Sequence, residues 1–287
     1  MRIKNLFWRI IERLTRFAMA RSGTYFRLRL VEKKLEFLET TLSAENYTEA
    51  LVRFVGYMKC IKSSNYAFTR VGSANDGGYL LLDTFSNVGV CISLGIGANV
   101  EFEQALLAKG IPVVAVDGTI PSYPNKPHSK LIWVNKNVGA IDNANLVSLN
   151  SIFLESDKQF AWTGDCLLKI DIEGHEYETI QALDMDFQVR ASQIILELHN
   201  VLPKLYHSPL EIFSLVEKLL KTHELVHIHG NNYEYAINTN GSTIPNVLEL
   251  TFARKDFVSS SFDVAKFPRV LDAPNNPYLP DIIINLQ

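Results

Sequence analysis

Acids, glycines and histidines able to do chemistry gather in three short stretches of this 287-residue chain. The first, Ser93-Leu94-Gly95-Ile96-Gly97-Ala98-Asn99, closes an apolar run and precedes a helix start at Glu101. Two glycines one residue apart let the backbone pass close to a bound nucleotide or amino-acid group, and the following helix offers free N–H groups. Asp117 ends the next apolar run, twenty-two residues after Gly95. An acid there can accept both hydroxyls of a ribose, so Gly95, Gly97, Asn99 and Asp117 together indicate a cofactor built on adenosine. The dinucleotide fingerprint needs a third glycine at position 100, where Val100 stands, and the nicotinamide reading is weakened accordingly.

In the second stretch an apolar run ending at Ile170 delivers Asp171 and Glu173 to a turn at Gly174, and Glu176 stands near the positive end of the helix that follows. Asp171 is expected beside the cofactor and at the reacting centre, with Glu173 facing a substrate. The third stretch supplies histidines at strand ends: His199, and His229 within His227-Ile228-His229-Gly230-Asn231-Asn232. An alcohol attacks only as its proton leaves, and imidazole titrates in the right range, so either histidine is a candidate base. His199, Asn231 and Asn232 are further candidates for substrate contacts. Asn75 and Asp76, in Asn75-Asp76-Gly77-Gly78, either add cofactor contacts or only form a turn. Asp171, Glu197, His199 and His229 offer oxygen and nitrogen ligands for a divalent metal, which stays an alternative and not the favoured reading because no compact ligand spacing is present.

These residues need a scaffold that brings strand ends together. From about residue 65, short apolar runs alternate with helical stretches of ten to fifteen residues. That pattern predicts an α/β domain with a doubly wound, mostly parallel sheet, whose ligands lie beyond the carboxyl ends of the strands. Residues 1–64 read as an N-terminal helical extension and residues 65–287 as the catalytic domain.

Charge is unevenly spread. Residues 1–34 carry ten Lys/Arg against Glu12 and Glu32, while the whole chain is at -3, so the remainder is acidic. An acidic catalytic region argues against nucleic acid as partner. Residues 5–20 form a basic amphipathic helix, whose apolar side is covered by the catalytic domain, by a second subunit of a homo-oligomer, or by an anionic membrane surface. No apolar run is long enough to span a bilayer, and no continuous apolar segment marks a cleaved signal. Cys60, Cys91 and Cys166 are far apart and read as reduced thiols. A cytoplasmic location follows, at the inner face of the membrane if the helix meets lipid.

The segment Leu167-Leu168-Lys169-Ile170-Asp171-Ile172-Glu173-Gly174-His175-Glu176 resembles the K-x-D-x-E-G-x-E segment of FkbM-type methyltransferases, and RVGSANDGGYLLLD, ISLGIGANVEFE and HIHGNN are similar to other parts of that family. The resemblance spans roughly residues 65–255. It implies a class I, Rossmann-like methyltransferase that moves a methyl group from S-adenosyl-L-methionine to an oxygen, commonly of a saccharide, glycolipid or natural product. The chain departs from the common class I pattern at Ser93, where an acid is usual, and at Asn99, where a third glycine is common. A nicotinamide-dependent oxidoreductase, a nucleic-acid methyltransferase and a catalytically silent cofactor-binding module are the rival readings.

Overall fold

The computed structural model describes residues 23–41, 45–59, 61–263 and 266–286. The basic stretch 5–20 lies outside them, as does Cys60; Cys91 and Cys166 are buried and unpaired. Helices α1 (Gly23–Thr41) and α2 (Glu45–Met58) lead into β1 (Lys62–Ser64) and the hairpin of β2 (Phe68–Gly72) and β3 (Gly78–Leu82). There follow β4 (Val88–Leu94), α3 (Glu101–Ala108), β5 (Val113–Val116), β6 (Leu131–Val134), the short pair β7 (Asn137–Gly139) and β8 (Leu146–Ser148), and α4 (Leu149–Phe160). Next come β9 (Asp165–Ile170), α5 (Glu176–Ala182), α6 (Met185–Gln188), β10 (Ala191–Leu198), α7 (Val201–His207), α8 (Pro209–Leu219) and β11 (His223–Gly230). A hairpin of β12 (Ala236–Thr239) and β13 (Ser242–Pro245), then β14 (Leu248–Arg254) and β15 (Val258–Phe262), complete the regular elements.

Seven strands form the central sheet, in the order β11-β14-β10-β9-β4-β5-β6. The run from β10 to β6 is parallel, and β14 lies antiparallel between β10 and β11. The inner strands are apolar on both sides because both sides are covered. Val90, Ile92, Leu94, Leu168 and Leu196 share one buried cluster with Phe54, Phe153, Ile180 and Ile212 of α2, α4, α5 and α8. Cys91, Val113, Ala115, Leu167 and Ile195 face the other side, against Phe102 and Leu106 of α3 and Val71, Tyr79 and Leu81 of the hairpin. Each such large side chain contributes about 1.5–3 kcal/mol through burial. Helix α2 inserts Ala50, Leu51, Phe54, Val55 and Met58 into the first cluster, and β1 pairs with β15, so the chain before residue 65 shares its packing with the chain after it.

Register decides what meets at the carboxyl edge. Leu94 lies opposite both Val116 and Ile170, and Ile170 opposite Leu196. The next residue along each strand is therefore Gly95, Asp117, Asp171 or Glu197, side by side in one row. Glu249, opposite both Glu197 and His229, extends the row across β14 to β11.

Candidate active site

Two cavities open along that row. The first, about 630 Å³, is lined by the 95–99 loop, Asp117 to Thr119, Lys136 to Val138, Asp76, Lys169 and Asp171. The second, about 770 Å³, is lined by Glu197, His199, Asn200, Asn231, Tyr233 and Lys33 among others. Asp76, Asp171 and Glu173 line both, so the two spaces meet at these three carboxylates. Both volumes are in the range that holds a small ligand.

The 95–99 loop is tied to the sheet at several points. Gly95, at φ 70°, brings its α-carbon so close to the Asp171 carbonyl oxygen that any β-carbon would overlap it. Gly97, at φ 53°, has no protein atom within 4 Å of where its β-carbon would lie, and it lines the first cavity. Asp117 Oδ2 accepts from the backbone N–H groups of Ile96 (3.1 Å) and Gly97 (2.9 Å), while Oδ1 accepts from the N–H and hydroxyl of Thr119 (both 2.6 Å). Burial pushes the Asp117 carboxyl up, but these bonds outweigh it and hold it below the usual range. Its four lone-pair positions are thus all used, three by backbone and one by a hydroxyl that can rotate away. Asn99 accepts from Glu101 N–H at the start of α3 (3.1 Å) and donates to the Asp76 carbonyl (2.8 Å), which joins the loop to the hairpin turn.

Under the loop, Lys169 donates to the Gly95 carbonyl and to Asp171 Oδ2 (3.1 Å). Burial works against its charge, but the charges of Asp171 and Glu103 prevail and its pKa is raised. Ser93 donates to Glu103 of α3 at 2.5 Å. Glu103 is buried, its second oxygen has no hydrogen-bond partner, and it lines the first cavity. Tyr79 Oη lies 3.1 Å from Asp171 Oδ2 and 3.2 Å from Glu197 Oε2. A phenol has one proton to give. Burial first, then the charges of Asp171 and Glu249, raise the Glu197 pKa well above the carboxylate range. A protonated Glu197 can therefore donate to Tyr79, which donates in turn to Asp171.

His199 is the histidine at the junction of the cavities. Its Nδ1 lies 2.9 Å from Glu176 Oε1, which also accepts from the N–H groups of Ile172 and Gly174 (both 3.1 Å). Its Nε2 faces Glu173 at 3.5 Å, Glu197 at 3.7 Å and Asp171 at 4.0 Å. Burial opposes charge on the ring, but the Glu176 hydrogen bond and the neighbouring carboxylates win, and its pKa is pushed up to about 9. Glu173 sits at φ 55°, a left-handed conformation that costs a non-glycine residue about 1 kcal/mol or more, and Glu176 holds the turn there. Asp171, Glu173 and His199 offer ligand atoms within 4.8 Å of one another, the one grouping among the described residues suited to a metal ion.

The structure does not bring every expected residue to this place. His229 lines neither cavity: its Nδ1 bonds Glu249 (2.8 Å) and its Nε2 bonds Asp281 (3.0 Å), with only 1% of the side chain exposed. Burial opposes its charge, but these two carboxylates push its pKa up to about 10. The cause is topological, because β14 inserts between β10 and β11 and carries His229 two strands away from Glu197. Asn232 is likewise turned to the scaffold, where its amide donates to the carbonyls of Asn276, Leu279 and Pro280 and accepts from Asn276 N–H. Asn231 does reach the second cavity and donates to Glu197 (2.8 Å). Asn75 lines neither space and bonds the Pro274 carbonyl (2.8 Å), so the Asn75–Gly78 stretch is a hairpin turn from which Asp76 alone of the pair faces both cavities.

Residues 83–235, just over half of the chain, match the family model described as the methyltransferase FkbM domain. No curated protein matches the chain.

Proposed function

The chain belongs to the FkbM methyltransferase family, and on that premise we propose that it transfers a methyl group from S-adenosyl-L-methionine to a hydroxyl of a saccharide or similar polyhydroxylated acceptor. The sheet is read as doubly wound, since the strand order reverses at β4 and helices cover both faces. The observation that carries the proposal is the meeting of two ligand-sized cavities at Asp76, Asp171 and Glu173.

The first cavity fits the cofactor. Gly97 leaves room at the loop, Asp117 can exchange the Thr119 hydroxyl for a ribose hydroxyl, and Asp171 stands where a sulfonium would be attracted to its charge. Bound there, S-adenosyl-L-methionine would supply an electrophilic methyl group. Lys169 and Tyr79 hold Asp171 in place through its Oδ2, leaving Oδ1 toward His199. The second cavity suits a neutral polyhydroxylated acceptor, because Asn200, Asn231, His207, Tyr233 and several carboxylates offer hydrogen bonds, and the excess of acids disfavours an anionic one. Such positioning is where much of the rate of a two-substrate displacement originates.

His199 is the base. With Nδ1–H given to Glu176, the neutral ring, whose share grows as pH rises toward the raised pKa of about 9, presents its Nε2 lone pair at the junction; the acceptor hydroxyl would pass its proton there as the O–C bond forms and the methyl–sulfur bond breaks, the sulfur leaving as a neutral thioether. The resulting imidazolium is stabilised by Glu176, Glu173 and Asp171, and positioned proton transfer of this kind contributes about 10²–10⁴-fold. Calorimetry is the direct test. S-adenosylhomocysteine binding with no NAD binding supports the reading, and binding of NAD alone overturns it.

A further inference from the structure

We propose that the outer face of α1 is a docking surface for an anionic lipid bilayer. Along the described part of α1 the inward positions are occupied: Phe26 packs against Tyr233 (6.0 Å between rings) and Tyr278 (6.2 Å), Leu30 packs on the main core, and Lys33 pairs with Glu234. The opposite face carries Leu28, Val31 and Leu35, which are 39%, 55% and 52% exposed. Their spacing of three and four residues places them on a single stripe. Arg27, Arg29 and Lys34 flank it, with Glu32 as the one acid between residues 26 and 35.

An apolar stripe bordered by cations is the form of a helix lying in the headgroup plane, its apolar face among acyl chains and its bases against anionic headgroups. Charge decides between occupants. The described turns of α1 up to residue 34 hold Arg27, Arg29, Lys33 and Lys34 against Glu32 alone, and a second copy would bring the same positive face against this one. An anionic bilayer is complementary to it. The same helix lines the second cavity through Lys33, so a bilayer under α1 lies within about one helix diameter, roughly 10 Å, of that cavity. An acceptor presented from a membrane surface would reach the cavity without leaving the headgroup layer.

The test uses the full chain and its variant Leu28→Ser/Val31→Ser/Leu35→Ser. Sedimentation with vesicles of phosphatidylcholine and phosphatidylglycerol should capture the wild type and not the variant, with partitioning at least about tenfold lower. Added salt should release the wild type, and pure phosphatidylcholine vesicles should capture little of it. Thermal melting of the variant confirms that it is folded, and the salt and lipid arms test the proposal without any substitution. A wild type that ignores anionic vesicles overturns the proposal. So does a folded variant that partitions equally, or a wild-type dimer that the substitutions convert to monomer.

Discussion

His199 and His229 have the same chemistry at hand and opposite fates. Each is buried, each bonds a glutamate through Nδ1, and each has its pKa raised, to about 9 and about 10. The difference is the second nitrogen. Nε2 of His199 looks onto the junction of two cavities with no carboxylate closer than 3.5 Å, whereas Nε2 of His229 is bonded to Asp281 at 3.0 Å. A histidine with one committed nitrogen is oriented and still able to take a proton. A histidine with two committed nitrogens is a buried ion that holds strands and the C-terminal segment together.

The comparison predicts a large split in turnover. His199→Ala should lower kcat by about 100-fold or more at unchanged affinity for S-adenosylhomocysteine, while folded His229→Ala stays within a few-fold of wild type. Equal losses in both would remove the distinction, and a chelator that abolished wild-type activity would turn Asp171, Glu173 and His199 into ligands instead. Stability should split the other way. His229→Ala leaves Glu249 and Asp281 without their cation and should cost about 3 kcal/mol in urea unfolding. Because the native pKa of His229 is raised, its contribution is complete below about 6.5 and disappears as pH rises through about 10. The wild-type melting temperature should therefore fall through that range more steeply than that of His229→Gln.

Asp117→Ala should weaken S-adenosylhomocysteine binding by about 1–3 kcal/mol, since it releases the loop amides as well as the ribose contact. Asp117→Asn retains one acceptor oxygen and should fall between the two, and unchanged calorimetric affinity in folded Asp117→Ala would take this carboxylate out of the site. The smallest effect is expected from Glu176→Gln. Turnover should fall by about tenfold, and the ascending limb of the pH–rate profile, which a base with a pKa of about 9 places there in the wild type, should move to lower pH because the bond that raises the His199 pKa is weakened. A limb that stays in place would show that Glu176 does not set the base.

Much of this was readable in the chain. The apolar runs ending in Gly95, Asp117 and Asp171 are strands whose register places those residues next to one another, because parallel strands of similar length end on a common edge. His229 lies away from the cavities because sequence order puts β11 after β10 and nothing local shows that a later strand will separate them, whereas Asn232, next to the cavity-lining Asn231, is taken up by hydrogen bonds to residues 276–280. Lys169 carried a signal, being a lone cation in the apolar run Leu167–Ile170. Glu103 carried none, for its partnership with Ser93 depends on the angle at which α3 leaves the loop. Tyr79 belongs to a hairpin that reads as ordinary apolar strand, and only its tertiary placement makes its hydroxyl a bridge between two carboxylates.

The segment 266–286 has almost no regular structure, yet Asn275 in it bonds both Glu249 (2.6 Å) and Asp76 (3.1 Å), and Asn276 is locked to Asn232. Asp76 is one of the three carboxylates where the cavities meet. Asp76 is thus held from a segment 199 residues further along the chain that belongs to no strand of the sheet. Loosening Asn275 would therefore release Asp76 at the meeting point of the cavities while leaving every strand of the sheet paired.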